Sequence, residues 1–399
     1  MQFYSVTEYD PVCQEVLVNS KTKPHHCFSN ILDRVPKAVT KYLDECQQHH
    51  RSALQDSGVP VGSKEYRQLL KDHGEDFLEE ACSYLEHIDF PKDAVAQCRI
   101  CNQDCPLWPV LDENCVWIEI AGNTCTPWSS VGKGLGWLDT LSIPCLIWAF
   151  TSRAQMPHHI VNECTSIWPA KSFFHKVLGG LYDISSISMS PDDLGLPATR
   201  NRTYTHLSCK SLCCPMLQLT SAEFNDIYRR DLVVDALAFW SAPKSLVKAA
   251  HRDLVKKKEY VGGLGLDRLP WHEIVSVALK KRWLSHKKLH DETIASGSGG
   301  HAAICNLSWN GSYFGSPRSL MPALLTKSII YSFAAKRPLL ACEHFVVNGI
   351  PLFLGSDVVD DDLFLNLGQN GQRRLAGNQM VVQVVGTVVG LIMLGHRSR

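Results

Sequence analysis

The chain has 399 residues, and its 40 lysines and arginines balance its 40 aspartates and glutamates, so the formal net charge is zero. This length allows a large core and one or two domains. The balance excludes a uniformly polycationic chain, so any nucleic-acid site must be a local patch. Sixteen cysteines without a signal peptide indicate a reducing compartment with free thiols.

The first quarter of the chain is predicted to be mainly helical. A helical run ends at Asn19, and residues 34–90 are predicted to form solvated helices. Ser63 is a candidate N-cap, because Ser63-Lys-Glu-Tyr opens a stretch with helical spacing.

A cysteine cluster closes this helical part, with His87 before it and Cys115 after it. It reads Cys98-Arg-Ile-Cys101-Asn-Gln-Asp-Cys105. A zinc site commonly takes four ligands from two paired clusters, and only one pair here has that spacing. We therefore predict buried thiols and no metal site. Zinc binding by Cys98, Cys101 and Cys105 is the alternative.

The next segment predicts a buried strand and a loop around one cysteine. The apolar run from Val116 to Ala121 is typical of a buried strand, and small and polar residues then surround Cys125. A cysteine just past a strand lies where open α/β sheets place ligands and chemistry. As a thiolate it would be a strong nucleophile, and the alternative is a small buried hydrophobic side chain.

Two apolar segments follow the loop. The run from Leu141 to Phe150 predicts a buried helix, and the pair Ile160-Val161 predicts a strand that ends at Asn162-Glu163. A lone glutamate at a strand end is more often a surface residue or a cap. A role for Glu163 therefore depends on its position relative to Cys125.

The last half of the chain contains basic clusters and an apolar tail. Lysines and arginines group at 244–258 and 280–288, as solvated helix faces or as a surface that neutralises phosphates. The tail from Met380 to Leu394 is shorter than the roughly 20 residues that a bilayer requires. We predict that it is a buried helix and that the chain has no membrane partner.

Five segments, in one order along the chain, resemble motifs of the cytosine-5 DNA methyltransferases. They are Cys125-Thr-Pro-Trp-Ser129, Asn162-Glu163-Cys164, Gly195-Leu-Pro-Ala-Thr-Arg200-Asn-Arg202-Thr-Tyr204, Arg337-Pro-Leu-Leu-Ala-Cys-Glu343 with Gly349-Ile-Pro351, and Ala376-Gly-Asn378-Gln379.

The resemblance implies an α/β fold, a Rossmann-like sheet of the S-adenosylmethionine-dependent methyltransferases with a smaller inserted target-recognition region. We expect a catalytic core at 1–204 with a helical, cysteine-rich insertion at about 36–110, recognition at 205–336, and a segment returning to the core at 337–399. The family's first motif, Phe-x-Gly-x-Gly on the central strand, is missing. The expectation is a divergent, N-terminally truncated member of the family that lacks this strand.

The resemblance also assigns roles to individual residues. The catalytic residues would be Cys125, which adds to the base, and Glu163, Arg200 and Arg202, which bind the base or brace the loop. Ser129, Gly132 and Lys133 would start a lid. Glu8 would hold the ribose of S-adenosylmethionine, Asn30 its adenine, and Asn378 would lie near the cofactor.

The implied activity is methyl transfer from S-adenosylmethionine to C5 of a flipped cytosine, through a covalent adduct of Cys125. The expected partner is double-stranded DNA, with no known protein partner. The expected location is the nucleus or another reducing intracellular compartment. Two alternatives stay open: an RNA cytosine-5 methyltransferase, and a catalytically inactive nucleic-acid-binding remnant of the same fold.

Overall fold

In the computed structural model the chain forms two compact units. Unit 1 comprises residues 1–189, 201–224 and 388–399, and unit 2 comprises 190–200 and 225–387. The architecture is mixed α/β, and the finer domain boundaries predicted from the sequence stay predictions. The structure describes residues 2–110, 112, 114–129, 132, 134–214, 219–256, 269–297, 303–308, 319–353, 355 and 359–397.

The main sheet of unit 1 has four strands in the order β5-β6-β8-β7. β5 and β6 are parallel, and β8 runs antiparallel to both of its neighbours. Every residue of β6 is buried, as expected for an apolar strand covered on both faces. The four strands are β5 (Ile118–Gly122), β6 (His159–Cys164), β7 (Tyr182–Met189) and β8 (Arg202–Cys209).

A second, two-stranded parallel sheet pairs β1 (Ser5–Thr7) with β2 (His26–Phe28), joined by α1 (Pro11–Asn19). Among the described residues β1 pairs only with β2, and β5 pairs only with β6.

Arg34 links these two sheets. Its Nη2 donates to Thr7 Oγ1 at 3.2 Å, and its Nη1 lies 3.8 Å from Glu119 Oε1 on β5. The guanidinium also lies 4.6 Å from the ring centroid of Trp108. Side chains therefore connect β1 to β5 where no described backbone ladder does.

Four helices build the core of unit 1 around the main sheet. The predicted helices of residues 34–90 are confirmed, and Ser63 caps one of them by accepting from the amide of Tyr66 at 2.9 Å. They are not simply solvated, because Leu43, Phe77 and Leu85 are fully buried against the other helices. The four are α2 (Lys37–Asp56), α3 (Lys64–Leu85), α4 (Ile143–Gln155) and α5 (Ala170–Leu178).

A β-hairpin of β3 (Val95–Gln97) and β4 (Asp104–Pro106) follows α3 in the chain. β3 and β4 are antiparallel, with Ala96 opposite Cys105. The hairpin carries the cysteine cluster.

Unit 2 contains a three-stranded antiparallel sheet in the order β11-β10-β9, and helices of 5 to 19 residues. Within it, Arg337 donates two hydrogen bonds, of 2.8 and 2.7 Å, to the fully buried carboxylate of Glu343. The remaining elements of the chain up to residue 378 are α6 (Ser221–Tyr228), α7 (Lys244–Lys256), α8 (Val277–Ala295), β9 (Ile304–Asn306), β10 (Ile330–Ser332), β11 (Arg337–Pro338), α9 (Glu343–Val347), α10 (Asp361–Leu365) and α11 (Gln369–Asn378).

The apolar tail forms α12 (Val382–Gly395). By length and composition, Gln369–Gly395 is long and apolar enough to cross a membrane, with 22% of its most apolar window buried. The backbone is extended at Gln379, however, which separates α11 from α12. Val384, Val388 and Ile392 form a buried stripe with four-residue spacing. Part of the tail is therefore buried, as predicted, and the absence of a membrane partner stays a prediction.

The end of α12 is attached to the main sheet of unit 1. His396 Nδ1 lies 2.9 Å from Nε2 of His159, a fully buried residue of β6. The amide of Cys214 donates to the carbonyl of Arg397 at 2.8 Å. The last described residues are thus part of the unit that begins near residue 2.

Candidate active site

Cys125 lies in the loop that leaves β5, three residues after the strand ends at Gly122. Its carbonyl accepts hydrogen bonds from the amides of Trp128 at 3.0 Å and Ser129 at 2.8 Å, which close a turn directly after the cysteine. The Trp128 ring packs edge-on against Trp137 at 4.9 Å between centroids, and Trp137 belongs to the core. The loop is therefore anchored while Cys125 stays half-buried.

The segment after this turn folds back onto the cysteine loop. The amide of Gly132 donates to Ser129 Oγ at 3.1 Å. A Cβ at Gly132 would lie 2.0 Å from the carbonyl oxygen of Thr126, so the close backbone approach admits only glycine. Lys133 lies outside the described residues. The lid role of Ser129, Gly132 and Lys133 stays a prediction.

Glu163 lies near the carboxyl end of β6, in register with Gly122 at the end of β5. The amide of Asn123 donates to the carbonyl of Glu163 at 3.2 Å, so the segments that leave β5 and β6 stay paired beyond the end of β5. The carboxyl ends of neighbouring parallel strands meet at one edge of a sheet. Glu163 and the Cys125 loop therefore lie at the same edge.

Arg202 reaches Glu163 from the antiparallel neighbour β8. Tyr204 is the direct partner of Glu163, and Arg202 lies two residues earlier on the same face, at the diagonal position. Arg202 Nε is 3.1 Å from Glu163 Oε1, and the side chains are 13% and 8% exposed. The sheet register thus places a cation beside a buried carboxylate.

This ion pair does not satisfy the carboxylate. Glu163 Oε1 is buried and accepts no hydrogen bond from any described residue, because the Arg202 N–H is not aimed at it. A buried oxygen without a hydrogen bond is costly and uncommon. It marks a position where an additional donor would bind favourably.

Two other thiols near this edge are unsuited to nucleophilic chemistry. Burial, followed by the charge of Glu163, raises the pKa of Cys164 to about 12. Burial also raises the pKa of Cys145 well above its ordinary value, and its sulfur accepts from the side-chain amide of Asn123 at 3.2 Å. Both therefore stay protonated at neutral pH. Of the three thiols, only Cys125 is partly accessible.

Glu8 and Asn30 follow the parallel strands β1 and β2, and each side chain caps a local turn. Glu8 Oε1 accepts from the amide of Asp10 at 2.7 Å. Asn30 Oδ1 accepts from the amide of Leu32 at 3.0 Å, at the start of a short 3₁₀ helix. Because β1 and β2 are parallel, the two polar groups lie at one edge of that sheet. Their roles toward a cofactor stay predictions.

Arg200 and Asn378 belong to unit 2, whereas Cys125 belongs to unit 1. Arg200 is buried, and its Nη1 donates to the carbonyl of Leu324 at 3.1 Å, so it braces the 190–200 segment within unit 2. Asn378 is exposed at the end of α11. The proposed roles of both residues stay predictions.

Asn162 is a polar residue of this edge for which no separate role was predicted from the sequence. It is fully buried, its Nδ2 donates to the carbonyl of Ala121 at 3.4 Å, and its Oδ1 has no hydrogen bond to a described residue. The sequence feature that could have indicated a role is the side-chain amide of Asn162 itself, which directly follows the apolar pair Ile160-Val161 and precedes Glu163.

Comparison with known proteins gives a structural likeness only. No protein-family model matches the sequence, and no curated protein matches it. Among solved structures, the Dnmt2 methyltransferase of S. pombe matches with a TM-score of 0.39 at 14% identity, covering 70% of this chain and 77% of its own. The methyltransferase EhMeth of Entamoeba histolytica matches with a TM-score of 0.40 at 11% identity, covering 98% of both chains. Because the sequence identities and TM-scores are this low, the likeness supports no conclusion about function. A function must be argued from the geometry of the site.

Proposed function

We propose that this chain is an S-adenosylmethionine-dependent DNA (cytosine-5) methyltransferase with Cys125 as its nucleophile. The observation that supports this most directly is the edge shared by β5, β6 and β8. A half-buried thiol lies at the same edge as a buried carboxylate that has a cation at 3.1 Å but an oxygen without a hydrogen bond. The exocyclic amine of a cytosine is a donor of the kind that this oxygen lacks.

The three side chains correspond to the chemistry of cytosine methylation. C5 of cytosine is too weak a nucleophile to attack a methyl group directly. Addition of the Cys125 thiolate at C6 converts the ring to an enamine whose C5 can attack. Glu163 accepts a hydrogen bond from the exocyclic amine, and Arg202 donates to the ring O2 as negative charge develops. After methylation, a base takes the C5 proton, the electron pair left at C5 re-forms the C5–C6 double bond, and the Cys125 sulfur leaves C6 as a thiolate.

S-adenosylmethionine supplies an electrophilic methyl group when bound. The residues of this chain fit the nucleoside half of that molecule, because Glu8 and Asn30 place side-chain oxygens at the carboxyl ends of two parallel strands. The Phe-x-Gly-x-Gly sequence that would hold the methionine half does not occur in the chain. Glu8 and Asn30 would bind the ribose and the adenine, while Cys125 and Glu163 act only on the base.

A basic stripe on α7 is the proposed contact for the phosphates of double-stranded DNA. Lys244, Lys248, Arg252 and Lys256 are exposed at four-residue spacing, on one face of the helix. The three lysines form no ion pair with a described residue, whereas on α8 Lys287 and Lys288 are each paired with an acidic side chain. These three lysines of the α7 stripe therefore offer their charges to phosphates.

One observation favours a second candidate function, a non-catalytic nucleic-acid-binding protein. Among the described residues β1 and β5 each pair on one side only. The ends of Glu8 and Asn30 are already engaged in local turns. A chain that binds no cofactor would keep the α7 stripe and lose the need for Cys125.

Trapping on a mechanism-based substrate tests the proposal. The full-length chain is incubated with S-adenosylmethionine and a DNA duplex containing 5-fluorocytosine, whose C5 fluorine cannot leave as the proton does. We expect a covalent adduct that withstands denaturation. Cys125→Ser should abolish it, while Cys115→Ser, at an exposed thiol, and Cys164→Ser should retain it.

Two further measurements separate the alternatives. Calorimetry with S-adenosylmethionine should show binding by the wild-type chain. Absence of both binding heat and adduct would favour the non-catalytic protein. An adduct with 5-fluorocytosine RNA but not with DNA would assign the same chemistry to RNA.

A further inference from the structure

The hairpin of β3 and β4 gathers four metal-binding side chains, here called the Cys3His cluster: His26, Cys98, Cys101 and Cys105. Their ligand atoms all lie within 4.8 Å of one another. His26 Nδ1 is 3.6 Å from the sulfur of Cys101 and 3.8 Å from that of Cys98. In a tetrahedral site with Zn–S of about 2.3 Å and Zn–N of about 2.0 Å, nitrogen and sulfur ligands lie about 3.5 Å apart.

The hairpin turn brings the sulfurs of Cys98 and Cys101 close together. Asn102 has a φ of 55°, in the left-handed region that asparagine tolerates. Its amide donates to the carbonyl of Cys98 at 2.9 Å, and the amide of Cys98 donates to Gln103 at 2.9 Å. The tight turn brings the amide of Cys101 to 3.5 Å from the Cys98 sulfur. Such N–H donors stabilise a thiolate without adding a charge.

Strand β2 contributes the fourth ligand from 72 residues earlier in the chain. The amide of Arg99 donates to the carbonyl of Cys27 at 2.8 Å, and the amide of Cys27 points at the sulfur of Cys98 at 3.4 Å. These contacts fix the hairpin against β2, so that His26 faces the sulfurs. The two parts of the chain converge without any disulfide, since all three cysteines are free thiols.

We propose that His26, Cys98, Cys101 and Cys105 bind one structural Zn²⁺ ion. Four protein ligands leave no coordination position for a substrate, so the ion holds β2 and the hairpin together rather than taking part in chemistry. Three thiolates and one neutral imidazole, converging from two elements, are a donor set that zinc prefers. The site departs from the sequence-based expectation of buried thiols and no metal.

A second group, formed by His159, Cys213 and His396, does not show the same geometry. His159 Nε2 and His396 Nδ1 are 2.9 Å apart. Two nitrogens on one tetrahedral zinc would lie about 3.3 Å apart, so this distance fits a hydrogen bond between the two rings. No zinc ion is therefore assigned to this second group.

Metal analysis of the full-length chain tests the proposal. Zinc is measured by inductively coupled plasma mass spectrometry after expression in zinc-supplemented medium, and we expect one ion per chain. His26→Gln and Cys101→Ser should each lower the zinc content at least about tenfold after dialysis against a weak chelator. The matched controls His25→Gln and Cys115→Ser replace exposed neighbours of the same types and should keep the ion.

A spectroscopic measurement covers the case in which a ligand variant does not fold. The wild-type chain, stripped of metal under reducing conditions and titrated with Co²⁺, should show sulfur-to-cobalt charge-transfer bands and tetrahedral ligand-field bands that saturate at one equivalent. Absence of zinc from the wild-type chain together with octahedral Co²⁺ spectra would overturn the proposal. Retention of zinc by both ligand variants would overturn it as well.

Discussion

The ion pair between Glu163 and Arg202 is predicted to stabilise unit 1 much more than an exposed pair does. Its N–O distance is 3.1 Å, and the two side chains are 8% and 13% exposed. At that separation the gross attraction is about 5 kcal/mol for an effective dielectric constant of about 20, and desolvation offsets part of it. We expect Arg202→Met to cost about 3 kcal/mol, because it leaves a buried carboxylate without its cation.

A double-mutant cycle isolates the interaction. Arg202→Met, Glu163→Gln and the double variant should give a coupling of about 2 kcal/mol, since the partners are buried together. The control cycle uses Lys287 and Asp291, which lie closer, at 2.6 Å, but are 44% and 56% exposed. Its coupling should be about 0.3–0.5 kcal/mol. Burial, rather than distance, is thus predicted to determine the strength of each pair.

The assay is urea-dependent hydrogen exchange, measured by mass spectrometry on peptides from β6 and β8, which reports the free energy of opening of the strands that carry the pair. Single-variant effects that add to within about 0.5 kcal/mol would refute the reasoning. Such additivity would mean that Glu163 is solvated in the folded protein and that the edge holds no buried carboxylate.

Three further outcomes are expected. Lys248→Glu should weaken DNA binding and lower the slope of log affinity against log salt concentration by about one. Lys288→Glu, at an already paired lysine, should change neither quantity. Equal effects of the two variants in a fluorescence-anisotropy titration would contradict the assignment of DNA binding to α7. In a urea titration, Gly377→Ala should lower the free energy of unfolding by about 1–3 kcal/mol, because its Cβ would lie 2.4 Å from a backbone nitrogen. Gly386→Ala, in open space inside α12, should instead raise it by about 0.5–1 kcal/mol. Burial lowers the pKa of His159 to about 3. Between pH of about 6.5 and about 3, His159 is therefore protonated in the unfolded chain and neutral in the folded chain. Stability should fall there by up to about 1.4 kcal/mol per pH unit as pH decreases, and a urea midpoint that is unchanged between about pH 7 and about pH 5 would contradict the burial of a neutral ring.

The elements of unit 1 were largely predictable from local sequence. The apolar run that begins at Val116 overlaps β5, and the run that begins at Leu141 overlaps α4. The predicted burial of β5 is wrong, because among the described residues this strand has a neighbour on one side only and none of its residues is buried. Ser63 caps α3 as its hydroxyl and position suggest. In each case the signal is short-range, because periodicity and capping depend on residues within one or two turns.

The pairing of elements could not be predicted in the same way. Nothing in the sequence around Arg202 shows that β8 lies between β6 and β7, yet this order creates the contact with Glu163. His26 faces the cysteine cluster because β2 bonds to Cys98 across more than 70 residues of chain. The segment Cys98–Cys105 by itself supplies three of the four ligands and gives no indication of His26. Long-range register is decided by the whole core, not by the segments that it joins.

The attachment of His396 to His159 has a consequence for synthesis on the ribosome. Unit 1 comprises residues 1–189 and 201–224, and its last segment begins only at residue 388. Because translation adds about 5–20 residues per second, unit 1 is without this segment for roughly 10 to 30 s. During that interval the groove lined by Tyr204, Phe224 and Leu219, which Val388 and Ile392 finally cover, stays uncovered. Nascent chains stalled shortly before residue 388 should therefore recruit holdase chaperones, and chains released after residue 397 should not.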